Sequence, residues 1–121
     1  MSIQIGGLYK TAATKSKIVE VLECDGTGYY LCQYYAYTNP IAVTFLEKEL
    51  IPFNQKLKFA KNDHVLNVVN LGRLDNIIKP PASFIIHAVW GADESNVWYV
   101  IKRGSYQTLL NERFLRYPYE Y

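Results

Sequence analysis

The sequence predicts a mainly β protein built from two diverged copies of one small unit, and three observations carry that expectation. Aromatic residues make up 15 % of the 121 residues, and eleven of them are tyrosines; such side chains suit a pleated, half-buried surface. Short apolar runs are separated by polar, glycine-bearing turns, CDGTG at 24–28 and GADESN at 91–96. Finally, the same order of segments occurs twice, and an internal repeat decides architecture before any local reading does.

In the first copy, Ile5-Gly6-Gly7-Leu8 opens a strand, and Ile18 to Leu22 alternates as a half-buried strand would. Asp25-Gly26-Thr27-Gly28 is a hairpin turn, because Asp and Gly accept the conformations that join twisted strands. Tyr29 to Tyr35 forms the next strand, with Tyr29, Leu31, Gln33 and Tyr35 on one side and Tyr30, Cys32 and Tyr34 on the other. Pro40, which lacks a donor, keeps the following segment off a central position. Leu46 to Leu50 is expected as a turn or a single helical turn before Pro52.

The second copy is aligned at an offset of 66, which matches Leu71-Gly72-Arg73-Leu74 to residues 5–8 and Ser83–Ala88 to Lys17–Leu22. Pro80-Pro81 breaks any preceding element. Phe84 to Trp90 is apolar at nearly every position, as expected of a strand covered on both sides, here by the other copy. Val97, Tyr99 and Ile101 oppose Trp98 and Val100, and Gln107–Arg116 mirrors Val43–Pro52. The resulting division is 1–53 for the first unit, 54–70 for a connecting segment, and 71–121 for the second. In the connecting segment, Val65, Leu66, Val68 and Val69 after Asn62-Asp63 allow a short helix, with a strand almost as well supported.

Four short strands and a final helical-turn-like segment, entered through a glycine-containing first strand, resemble an SH3-like or Tudor-like small barrel. The resemblance covers Ile5–Phe53 and, less well, Leu71–Tyr117. It implies two tandem small barrels or half-barrels packed together, of a kind that binds peptides, modified side chains or nucleic acid through aromatics. The architecture does not choose among these ligands.

Composition narrows the chemistry. Thirteen basic and eleven acidic residues leave a charge of +2, with no basic tail. The start MSIQIGGLYK does not read as a signal peptide, and no apolar run approaches a membrane span. Cys24 and Cys32 are expected as reduced thiols in a cytoplasmic protein; with a four-residue turn, Cys24 would face Tyr29 and Cys32 would face Val21. His64 and His87 have no partner at ligand spacing, Glu47 and Glu49 flank Lys48, and Asp93-Glu94 occupies a turn. No metal, cofactor or phosphate loop is expected, and a small hydrolase-type enzyme, such as one pairing Cys32 with His87, ranks last.

What remains is binding. An aromatic surface of Tyr35, Tyr37, Trp90, Trp98 and Tyr106 would recognise a protein or peptide, with a second copy of the chain among the candidates. The bland alternative places these rings in cores and an inter-copy seam. The runner-up function is nucleic-acid binding, with bases stacked on the rings and Lys102, Arg103, Arg113 and Arg116 on the phosphates. Glu112 among those arginines favours the protein partner. A cage for a cationic group would require converging rings.

Overall fold

The computed structural model describes residues 3–12, 17–69, 80–92 and 96–120. The chain divides into two compact units, Met1–Lys56 and Leu57–Tyr121. Among the described residues, each contains one five-stranded antiparallel sheet.

The first unit contributes β1 (Leu8–Thr11), β2 (Ile18–Cys24), β3 (Tyr29–Ala36), β4 (Asn39–Leu46) and β5 (Leu50–Pro52), with a 3-10 turn at Glu47–Glu49. Its sheet order is β4-β3-β2-β1-β5. Alternation holds for Val19 and Val21 against Glu20 and Leu22, while Ile18 is buried as well. Val19, Val21 and Cys32 are buried with Tyr9 and Leu50, and Tyr30, Tyr34 and Phe45 pack against them. Pro40 lies on β4, an edge strand, opposite Tyr35.

The second unit contributes β6 (His64–Asn67), β7 (Ala82–Ala92), β8 (Val97–Arg103), β9 (Tyr106–Asn111) and β10 (Leu115–Arg116), with 3-10 turns at Glu112–Phe114 and Pro118–Glu120. Its order, β10-β6-β7-β8-β9, is the first sheet's order read from the other edge. The core gathers Phe59, Val65, Phe84, Ile86, Val97, Tyr99, Ile101, Leu110 and Leu115. No pairing between edge strands closes either sheet into a barrel among the described residues.

The helix considered before β7 is not formed: residues 64–67 are β6, paired to β7 on one side and β10 on the other. Val65 and Asn67 are buried, so alternate residues point inward, which a strand allows and a helical stripe at 65, 66, 68 and 69 would not.

The offset of 66 also needs correction. Asn67 pairs with Ala82 and Leu115 as Thr11 pairs with Leu50 and, one residue beyond Lys10–Ile18, faces Lys17. The β2 and β7 strands therefore correspond at an offset of 65, Val19 with Phe84 and Val21 with Ile86. A slip of one residue matters because it turns every side chain to the opposite face. Both strands bulge at the same place, between Val21 and Glu23 and between Ile86 and Ala88.

The entry turns correspond too. Gly6 N–H donates to the Val21 carbonyl at 2.7 Å and Val21 N–H returns to Gly7, while Asn62 N–H donates to Ile86 at 2.7 Å and Ile86 N–H returns to Asp63. Gly6 has φ 84° and Asn62 φ 74°. Asn is among the few residues that enter the left-handed region readily, so it can take the conformation that Gly6 takes in the first unit. The segment expected to play this part, Leu71-Gly72-Arg73-Leu74, lies outside the described residues, as do Ile77-Ile78 and Asp93-Glu94.

Candidate functional site

The five aromatics singled out in the sequence divide between the units, Tyr35 and Tyr37 in the first and Trp90, Trp98 and Tyr106 in the second. Tyr35 lies on the outward side of β3, half-buried, and accepts a hydrogen bond from Gln33 Nε2 at 3.0 Å. Tyr37 stands at the tip of the β3–β4 hairpin, where Ala36 pairs with Asn39 across two residues. It is 58 % exposed and has φ 56°. A bulky residue at such a φ is unusual, and its backbone conformation costs roughly 1–2 kcal/mol. The equivalent turn in the second unit, between Arg103 and Tyr106, uses Gly104 at φ 60°. Tyr37 thus joins a strained backbone to a solvent-facing ring, a combination of the kind found at functional sites.

In the second unit, Val89 pairs with Tyr99 and Gly91 with Trp98, which leaves Trp90 as an extra residue in β7. The bulge sets Trp90 beside the strand position facing Trp98. Gly91 has no side chain to cover the indole opposite. The two tryptophans are 37 % and 36 % exposed. The bulge thus sets two partly exposed indoles at one level of the sheet.

Tyr106 does not join them. Its ring packs against the second core, 6.3 Å from Phe84 between ring centres, because β9 turns that side chain inward.

The basic set is split. Lys102 and Arg103 end β8 at its turn, while Arg113 follows Asn111, the partner of Trp98 at the start of β8. Five residue steps of strand, about 17 Å, separate the two ends. The Arg113 guanidinium lies 4.6 Å from the centre of the Phe114 ring. Arg116 donates to the carbonyls of Arg113 and Leu115, at 2.7 and 2.8 Å. The four cations do not form one stripe along the rings.

The nucleophile weighed in the sequence is tuned away from that role. Cys32 is buried, and desolvation pushes its thiol up to about 11, the reverse of an activated thiolate. Cys24 faces Tyr30 rather than Tyr29, because β2 bulges, while Cys32 does face Val21. Both thiols are free. His87 occupies the bulge of β7, and burial, then Lys102 and Lys61, lower its pKa. Among the described residues, no group of three or more His, Cys, Asp or Glu is placed to hold a metal, and no helix is long and apolar enough to cross a membrane.

One feature escaped the sequence reading. On the outward face of the first sheet, Glu23, Asp25, Tyr29, Leu31 and Thr44 line a hollow of about 150 Å³. The register places Leu31 between Glu23 on β2 and Thr44 on β4. Asp25 Oδ1 accepts from the Thr27 amide at 2.9 Å and from its hydroxyl, and these bonds hold the carboxyl below its usual range. A sequence signal was present: residues 18–47 carry four carboxylates and no Lys or Arg. The near-balance of charge over the whole chain concealed it.

No protein-family model matches the chain, and no curated protein matches it. A crystal structure of AGD34 of AGDP1 from Arabidopsis thaliana aligns with 93 % of this chain and 80 % of its own, at 12 % identity and a TM-score of 0.35. At that score the likeness carries no argument about fold or function.

Proposed function

We propose that the protein is a non-enzymatic binding or adaptor protein that recognises a protein or peptide partner through the Trp90–Trp98 surface of its second sheet. One observation carries the reading: a bulge in β7 brings Trp90 level with Trp98, and both indoles remain partly exposed. Tryptophan is the residue type that most often concentrates binding energy at a protein interface. Tyr37, strained and exposed on its hairpin tip, is a second anchor on the first unit.

The division of Lys102 and Arg103 from Arg113 and Arg116 along β8 favours a protein partner over a nucleic-acid strand, which would want phosphate contacts beside the stacked rings. We further propose that the units are diverged copies of one SH3-like half-barrel. Their common strand order, matched bulges and matched left-handed entry turns support this. A cytoplasmic setting, where Cys24 and Cys32 stay reduced, belongs to the same proposal.

The test is selection of peptides from a displayed random library against the immobilised full chain, followed by calorimetric titration of a selected peptide. Trp90→Ala and Trp98→Ala are each expected to weaken binding at least tenfold while circular dichroism stays unchanged. Peptides that bind both variants as tightly as the parent refute the surface. Salt-sensitive binding of oligothymidine, abolished by Arg113→Ala with Arg116→Ala, would instead establish the nucleic-acid reading.

A further inference from the structure

We propose that the hollow on the outward face of the first sheet receives the guanidinium group of an arginine presented by a basic partner peptide. The site lies in the first unit and does not depend on the tryptophan pair of the second.

Its lining suits that group part by part. Tyr29, 47 % exposed, offers a ring face on which a planar cation can lie. Leu31 supplies an apolar floor for the adjoining methylenes, as long basic side chains require. Glu23 and Asp25 supply the opposing charge, and Thr44 adds a hydroxyl. Glu23 makes no side-chain hydrogen bond or ion pair among the described residues, so its carboxylate is available for a partner. Asp25 is anchored by Thr27 and stays ionised.

Charge complementarity extends beyond the hollow. The β2, β3 and β4 strands with their connecting turns carry Glu20, Glu23 and Asp25 and no basic residue, and Glu47 follows Leu46, the cross-strand partner of Tyr29. The cation that approaches these strands, Lys17, lies over the ring of Tyr34, which packs on the inward side of β3, away from the hollow. At about 150 Å³ the hollow has room for roughly five waters, at ~30 Å³ each, which suits one planar head group rather than a whole peptide. Arginine fits better than lysine, because its flat fork both stacks on a ring and pairs with a carboxylate through two bonds.

The experiment is a nuclear magnetic resonance titration of the ¹⁵N-labelled full chain with N-acetyl-arginine amide, and with N-acetyl-norleucine amide as the uncharged control. Saturable shifts are expected at the amides of Glu23, Tyr29, Leu31 and Thr44 with the arginine probe, and none with the control. Glu23→Gln, which keeps the shape and removes the charge, is expected to weaken the response at least threefold, and added salt to weaken it in the parent. An equal response to norleucine, an unchanged response in Glu23→Gln, or shifts that never saturate would overturn the assignment.

Discussion

Thr11 and Asn67 are polar residues buried at equivalent places, 4 % and 0 % exposed, and each accepts a hydrogen bond from the backbone opposite. Thr11 Oγ1 takes Lys17 N–H and Asn67 Oδ1 takes Ala82 N–H, both at 3.0 Å. Asn67 also donates to the Val69 carbonyl. Because it satisfies two backbone groups, Asn67→Leu should cost about 2–3 kcal/mol, whereas Thr11→Val should cost about 1 kcal/mol. Urea denaturation of the two variants checks this, and equal losses would contradict it. A second contrast concerns the hairpin tips. Nothing lies within 4 Å of a Cβ built on Gly104, so Gly104→Ala measures backbone strain alone and should destabilise by about 1 kcal/mol. Tyr37→Gly should do the reverse by up to about 1 kcal/mol, while weakening peptide binding if the ring is an anchor.

Segments outside the strands are held to the second sheet by tyrosine hydroxyls. Tyr99 donates to Glu112 Oε2 at 2.6 Å and accepts from Phe59 N–H at 3.3 Å. Tyr117 donates to Asp63 Oδ2 at 2.8 Å, and Lys58 Nζ pairs with Glu120 at 3.1 Å. The bond to Asp63, then burial, pushes the Tyr117 phenol up to about 12, and burial, then the bond to Glu112, raises that of Tyr99. Both phenols hold their protons more tightly when folded. The stabilisation is therefore complete below the ordinary phenol value of 10.0 and is lost as pH rises towards about 12. Fluorescence-monitored denaturation between these limits should show stability falling with pH, less steeply in Tyr117→Phe. A flat profile would contradict the clasp.

The two units differ in how much core each holds. Among the described residues, ten buried residues cluster in the second and five in the first. Since local opening follows buried apolar area, amides of β8 should exchange with deuterium more slowly than those of β3. Equal protection, or the opposite order, would show that the separate cores do not govern local stability.

Much of this protein is legible in its residues alone. Alternation in YYLCQYY and VWYVIK separates Cys32 from Tyr29 and Tyr99 and Ile101 from Trp98, because a strand's period of two depends only on the local backbone; that Cys32, Tyr99 and Ile101 face the core, and that Val100 is buried as well, is decided by packing. The DGTG turn and the edge position of Pro40 are local chemistry as well. Only the tertiary structure decided the rest. Residues 64–67 become a strand because β7 and β10 flank them, not because of their own preferences. Gly6 and Asn62 make the same backbone bond, to Val21 and to Ile86 respectively, and only the fold shows it. Tyr106 turns to the core, Trp90 is brought level with Trp98, and Glu23, Tyr29 and Thr44 converge on one hollow. Each depends on register and bulges between strands, and pairing across strands leaves no periodic trace along the chain.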